Sequence, residues 1–294
     1  MKALLVANPA ARLVESPVPI DSIVQCLRGS GLEVEVRLTE KAGDASAFAR
    51  EAVAAGLGRV VAAGGDGTIN EVIQSLARTD TELAIIPLGT GNVIARAIGL
   101  DDRDHVASCE VAARGAVRQI DLGVMGGRYF AALAGAGIDA QVTQNLDPWW
   151  KQRLGKIAFV SEFFRSIMLQ EPHIFRIELD GRVIEGPMWG VLICNTNEYT
   201  WRIQLAPDVR DDDGLLDVVI IHRHGFLDLV DLMARMFFSG ETAVGHPTAT
   251  VVRAGQMRLE AEPPVPWQVE GDSLGLTPVE VHVVPRSLRL VVAK

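Results

Sequence analysis

Apolar and polar positions along the first third of the chain alternate between two periods. KALLVAN (2–8) is a continuous apolar run and predicts a buried strand. VPIDSIVQCLRGSG (18–31) then spaces its apolar residues as a helix and ends on glycine. LEVEVRLTE (32–40) returns to a period of two, and GDASAFAREAVAAG (43–56) reads as a helix with Asp44 or Ser46 near its cap. LGRVVAA (57–63) predicts a third strand, and TINEVIQSLAR (68–78) a helix with Ile69, Val72, Ile73 and Leu76 on one face. ELAIIPLGTGN (82–92) is a fourth strand running into a glycine turn, and VIARAIG (93–99) the helix after it. Strands that alternate with helices in this way predict an α/β domain with a doubly wound, parallel sheet.

The texture changes near residue 118. RQIDLGVMGGRYFAALAGAGIDA (118–140) has strand pattern around Gly126-Gly127, and HIFRIELDGRVIEGPMWGVLICNT (173–196) predicts a hairpin turning at Asp180-Gly181. GLLDVVIIHR (214–223), ATVVRAGQMRLEAE (249–262) and VEVHVVPRSLRLVVAK (279–294) continue as strands, with helical segments at 149–169 and 226–239. This gives an α/β domain over 1–119 and a mainly β domain over 120–284, with the strand at 285–294 able to pack back onto the first.

The bulk numbers narrow the classes. In 294 residues, 48% are hydrophobic and 22% charged, which is globular and leaves little room for disorder. A net charge of −9 argues against a nucleic-acid binder, though not against a nucleotide held by backbone amides. Cys26, Cys109 and Cys194 are odd in number and sit in apolar context, as free thiols of a reducing cytosol. In MKALLVANPA the apolar run stops at Asn8-Pro9, too early for a signal peptide, and no stretch approaches membrane-spanning length.

Candidate chemistry concentrates in AAGGDGTINE (62–71), where three glycines surround Asp66 between a strand and a helix. Glycines there bend the chain sharply, or bare the N–H groups that a phosphate approaches. No Walker A pattern is present, and Gly89-Thr90-Gly91-Asn92 is a poor dinucleotide fingerprint because it follows the fourth strand behind Pro87. Both glycine turns follow strand carboxyl ends, where such sheets bind ligands. A carboxylate inside a phosphate cradle would repel its ligand unless it orients Mg²⁺-bound water or accepts a proton, which suggests phosphoryl transfer.

GGDGTINE followed by PLGTGNVIAR resembles the diacylglycerol kinase catalytic-domain family, which includes bacterial lipid kinases and sphingosine and ceramide kinases. Asn8-Pro9, Thr39 ahead of Gly43-Asp44-Ala45, IDLGVMGGRYFAALAGAGIDAQV (120–142), KQRLGKIAF (151–159) and LAPDVRDDDGLLDVVII (205–221) extend the resemblance along most of the chain. GGDGT alone is shared with NAD kinases. The resemblance implies an NAD-kinase-like α/β nucleotide domain, a β-sandwich-like second domain, and an active cleft between them. It implies that Asn8, Pro9, Ala10, Ala11, Arg12, Thr39, Gly64, Gly65, Asp66, Gly67, Thr68, Ile69, Asn70 and Thr90 bind ATP. It also implies that Asp213 and the carbonyls of Arg210 and Leu215 hold a structural Mg²⁺.

Two departures stand out. The family's D-G-E, whose glutamate is the candidate base for the lipid hydroxyl, is Glu270-Gly271-Asp272 here, so Asp272 keeps a carboxylate one methylene shorter. NTNEYTWRIQLAP (195–207) lacks the family's glycine-rich stretch beside the lipid site. Asp272 and Asp66 are the candidate catalytic residues. The expected activity is ATP-dependent phosphorylation of a lipid hydroxyl at a membrane surface. The alternatives are a kinase of a soluble alcohol such as NAD and a non-catalytic nucleotide- or lipid-binding protein. Trp149-Trp150-Lys151-Gln152-Arg153 suits a headgroup zone, and the helix at 226–240 suits either a core or a membrane face. The expected setting is the cytoplasm, with peripheral contact at the inner face of the membrane. A β-rich second domain also leaves an edge through which a homodimer could pair.

Overall fold

The computed structural model describes residues 1–11, 19–101, 104–145, 173–197, 206, 208–223 and 225–294. Arg12, the predicted helix at 149–169 with its tryptophan pair, most of 198–207 and His224 lie outside them. The chain divides into two compact units. The first comprises Met1–Leu122, Asp211–Asp213 and Val284–Lys294, and the second Gly123–Arg210 and Gly214–Val283.

The first unit is built on β1 (Lys2–Ala7), β2 (Glu33–Leu38), β3 (Arg59–Gly64) and β4 (Glu82–Pro87), all parallel in the order β4-β3-β1-β2. The last strand, β15 (Val279–Val292), adds beside β4, in parallel register at Arg289↔Glu82 and Leu290↔Leu83. Side chains alternate across a strand, and here both faces are covered, which explains runs of unbroken apolar residues. Leu5, Val61, Ala63, Ala84 and Ile86 pack with Ile23 and Leu27 of α1 (Ile20–Gly29) and with Cys109 and Ala112 of α5 (His105–Arg114). Between these helices come α2 (Asp44–Ala54), α3 (Asp66–Leu76) and the short α4 (Val93–Ala97). The apolar stripe predicted for α3 is fully buried at Ile69, Val72, Ile73 and Leu76. Helix α5 was not anticipated. Its buried positions are small (Ser108, Cys109, Ala112), so the periodicity is faint, and its start is fixed by the Asp104 carboxylate accepting the Ala107 N–H at 2.8 Å.

The second unit is mainly antiparallel. After β5 (Ala116–Met125), which begins in the first unit, come β6 (Arg128–Phe130), β7 (Leu133–Gly137), α6 (Ile138–Asn145), β8 (His173–Leu179), β9 (Arg182–Cys194) and β10 (Leu216–His222). Helix α7 (Phe226–Ala234) follows and runs into a π-helical turn, Arg235–Ser239. The unit closes with β11 (Ala249–Ala254), β12 (Gln256–Glu262), β13 (Pro266–Val269), β14 (Asp272–Leu276) and the start of β15. The β8–β9 hairpin turns at Asp180 (φ 45°) and Gly181 (φ 82°), the two left-handed positions its sequence predicts. β9 changes partners along its length, pairing β8 up to Met188 and then β7 and β10 up to Cys194. Gly190 permits this, because a Cβ there would stand 2.6 Å from the Ala136 carbonyl. The sequence predicts a strand pattern around a Gly-Gly turn over 118–140, with no helix, whereas α6 starts at Ile138 after Gly137 at φ 93°. An alanine- and glycine-rich run carries too little side-chain contrast to mark that change. Leu229 and Leu232 of α7 are buried in the unit's core, while Phe226 and Leu227 stay exposed.

Candidate active site

The loops of the first unit that carry the predicted nucleotide-binding residues all leave the same edge of its sheet. Register places Ala7 beside both Leu38 and Ala63, and Gly64 beside Pro87, so the carboxyl ends of β1 to β4 are aligned. Asn8, Thr39, Gly65 and Leu88 are the residues that immediately follow these four strands. The Asn8 amide donates to Thr68 Oγ1 (3.2 Å) and its Oδ1 accepts the Ala10 N–H (2.9 Å), tying the first loop to the start of α3. The Thr39 N–H bonds the Ala7 carbonyl at 3.0 Å. Pro9, Ala10 and Thr90 are exposed around this edge, with Ala11 half-buried.

The two glycine turns touch backbone to backbone. The Leu88 N–H donates to the Gly64 carbonyl (2.9 Å), and a Cβ on Gly89 would lie 2.6 Å from the Gly65 Cα. A Cβ on Gly64 would strike the Thr68 side chain at 2.7 Å. Packing therefore accounts for Gly64, Gly65 and Gly89. It does not account for Gly67, which is exposed, lacks a positive φ, and has nothing within 4 Å of where a Cβ would stand. Asn92, fully buried at φ 49°, holds the second turn by accepting from the Gly89 N–H (3.0 Å) and donating to the Gly89 carbonyl (2.7 Å).

Asp66 is half-buried between the turns. Its Oδ1 accepts the Val93 N–H at 2.7 Å, and its Oδ2 lies against Gly91, leaving no room for a Cβ there. Burial pushes its carboxyl above the ordinary aspartate range, while the Val93 N–H and the Arg96 guanidinium pull the other way. Ile69 and Asn70, predicted among the ligands, turn their side chains inward. Ile69 is wholly buried, and Asn70 receives the Gln74 amide at 3.1 Å.

Sequence reasoning missed Glu71, the last residue of GGDGTINE. Its two oxygens accept the N–H groups of Gly43 (2.9 Å) and Ala45 (3.2 Å), pinning the loop after Thr39 to α3. The Glu40 and Lys41 N–H groups both donate to Asp44, which holds that exposed carboxyl below its usual range. Each is a carboxylate four or fewer residues from a glycine, a signal too common to read unaided.

In the acidic run after Val209, Asp211 and Asp213 behave differently. Arg118 clasps Asp211 with two bonds of 2.7 Å, and burial raises the Asp211 carboxyl against that pull. Asp213 is exposed, as is Arg210, and Leu215 is half-buried. Their donor set, one carboxylate and two backbone carbonyls, is all oxygen and suits a hard cation. Among the described residues no cluster of three or more His, Cys, Asp or Glu side chains forms a metal site.

The exchanged pair in the second unit is also resolved into two roles. Glu270, at φ 51°, accepts the N–H groups of Ala131 (2.9 Å) and Ala132 (2.8 Å). Gln268 bonds Asp139 (2.7 Å) and receives the Gly271 N–H (2.7 Å). These bonds fix the backbone on which Asp272 stands. Asp272 itself is exposed at the start of β14, its side chain making no hydrogen bond or ion pair with another described residue.

Comparison with known proteins covers nearly the whole chain. A family model described as the diacylglycerol kinase catalytic domain matches residues 2–125. A second, the YegS C-terminal NAD kinase beta sandwich-like domain, matches residues 132–292. A diacylglycerol kinase of Bacillus subtilis (strain 168) is 28% identical over 295 residues, covering 100% of this chain and 97% of that protein. One from Staphylococcus aureus (strain JH9) is 28% identical over 281 residues, covering 94% and 88%. The fold matches a solved diacylglycerol kinase of Bacillus anthracis str. Sterne with a TM-score of 0.76 at 21% identity, over 99% of this chain and 96% of that one. A second solved chain from the same strain aligns at a TM-score of 0.82 and 23% identity, with 99% and 96% covered.

Proposed function

From the premise that the chain belongs to the diacylglycerol kinase catalytic-domain family, we propose that it transfers the γ-phosphate of ATP to the hydroxyl of diacylglycerol or a related lipid. The observation that carries this reading is Gly67. A glycine that neither packing nor dihedral demands, at the first turn of a helix, keeps backbone N–H groups open to an approaching phosphate. Asn8, Thr39 and Thr90 stand on the same sheet edge and complete the nucleotide-binding rim.

Roles follow from chemistry. Phosphoryl transfer depends on positioning and on neutralising charge, so rigid loops serve it directly. Asp66 braces the two turns through Val93 and keeps lone pairs for water on a metal-nucleotide complex. Mg²⁺, when bound with the nucleotide, supplies charge neutralisation at the phosphates. Asp213 with the carbonyls of Arg210 and Leu215 would hold a further, structural Mg²⁺. Asp272 is the unpartnered carboxylate suited to accept the proton of the lipid hydroxyl, and Glu270 shapes its loop. Lipid acceptors imply contact with a membrane surface without crossing it. Among the described residues no helix is long and apolar enough to cross.

The test is incubation with γ-labelled ATP, Mg²⁺ and a lipid extract in mixed micelles, with Asp66→Ala and Asp272→Ala in parallel. The proposal predicts label in the organic phase, lost in both variants. Label in a water-soluble product, with activity inhibited by detergent, would instead mark a kinase of a soluble alcohol. ATP binding without any transfer would mark a binding protein.

A further inference from the structure

At the other end of the first unit's sheet, a cavity of about 520 Å³ is lined by Val117, Arg118, Gln119, Asp212, Arg286 and Arg289. Arg289 pairs with Glu82, the first residue of β4, whereas the glycine turn follows Pro87, the last. Five residue steps along the strand separate Glu82 from Pro87, about 17 Å at roughly 3.3 Å per step. The cavity is therefore distinct from the phosphate-binding edge.

Its walls carry three guanidinium groups and one carboxylate, in a chain whose net charge is −9. Arg118 is paired with Asp211. Arg289 reaches Glu82 Oε1 only at 3.5 Å, while Arg59 holds the other oxygen of that carboxylate at 2.6 and 2.9 Å. The Arg289 Nε is buried without a hydrogen-bond partner. The Arg286 side chain makes no ion pair or hydrogen bond with another described residue. Its backbone is unusual too, at φ 48°, a left-handed conformation that disfavours any residue with a Cβ. Asp121, 1% exposed, holds it there by accepting the Arg286 N–H at 2.7 Å. The turn places on the cavity wall a guanidinium that has no partner among the described residues.

Guanidinium forks match the oxygen geometry of phosphate, and several together select it over singly charged anions. We propose that this cavity binds a phosphate monoester group, as a second site separate from the one that receives the nucleotide. The group could come from free phosphate or from the headgroup of an anionic lipid, and the chemistry of recognition is the same. The proposal does not depend on the kinase reading.

The test uses the full chain presaturated with a non-hydrolysable ATP analogue, so that the glycine turns are occupied. Inorganic phosphate is titrated calorimetrically in one arm. In the other, the protein is sedimented with phosphatidylcholine vesicles with and without phosphatidate. Arg286→Gly is the informative variant, because glycine adopts a positive φ freely and the fold is retained while the guanidinium is lost. The expected result is binding in at least one arm, weakened tenfold or more in Arg286→Gly, with affinity for the ATP analogue unchanged. Binding of phosphate would name the free ion as sufficient, and phosphatidate-dependent sedimentation alone would name the lipid headgroup. Absence of binding in both arms, or binding equal in the variant, would overturn the proposal.

Discussion

Gly67 and its neighbours separate glycines the fold needs from one it does not. Adding a methyl at Gly67 meets nothing within 4 Å, and alanine is the better helix former by about 1 kcal/mol. Gly67→Ala should therefore melt at or slightly above the wild-type temperature while losing nucleotide affinity. Calorimetry of melting and of ATP-analogue binding on one preparation checks both halves. Asp66 offers a second residue-level test. Its carboxyl is raised in the folded state from an ordinary value of 3.8, so its contribution to stability is fully present below that pH and is lost as pH rises through the folded value. Asp66→Asn keeps an oxygen for the Val93 N–H but cannot ionise. Its stability relative to wild type should therefore improve as pH rises from below 4 towards 7, while activity falls. Paired melting curves across pH would show the trend, and a variant that loses stability relative to wild type as pH rises would contradict it. At Glu270 the expectation is structural. Glu270→Ala leaves the Ala131 and Ala132 N–H groups without their charged acceptor, which should cost about 2–4 kcal/mol in urea unfolding.

Elements with strong contrast were legible, and those made of small residues were not. Strands β1 to β4 and helix α3 follow from their runs of Val, Ile and Leu, and the β8–β9 turn follows from Asp180-Gly181. Helix α5 was hidden because its Ala and Ser positions carry almost no period, and α6 because it follows directly on the alanine- and glycine-rich run of β7. At the site, the motif residues could be named from sequence, but their division of labour could not. Which glycine is packed and which is open depends on the approach of β3's turn to β4's. That Glu270 brackets a loop while Asp272 stands clear depends on where Ala131 and Ala132 arrive, more than 130 residues earlier. The contact between the turns carries its own prediction. In Gly89→Ala the new Cβ would meet the Gly65 Cα at 2.6 Å, and backbone cannot swing aside as a side chain can. The turns should separate, at a cost of about 1–3 kcal/mol, and nucleotide binding should be lost together with stability. That joint loss distinguishes it from Gly67→Ala, where the two part company.

For the whole molecule, the two units carry complementary chemistry. The first aligns the four strand ends and glycine turns proposed to receive a phosphate, and the second presents Asp272, whose carboxylate has no partner among the described residues, on a braced loop. Bulk charge says little about either, since −9 is spread over 294 residues while the arginine cavity concentrates the opposite sign. In the proposed reaction, Asp272 stands one methylene shorter than the glutamate that the resemblance implies, so its reach to the acceptor hydroxyl bears on the rate. The most direct test of the central claim is to count label from γ-labelled ATP in the organic phase after incubation with diacylglycerol micelles, for the wild type, Asp272→Ala and Asp272→Glu. The account predicts labelled lipid from the wild type, none from Asp272→Ala, and label retained in Asp272→Glu, which keeps a carboxylate on the same strand. Organic-phase label from Asp272→Ala equal to wild type would remove Asp272 as the base, and no label from any of the three, with ATP bound, would contradict the lipid-kinase account itself.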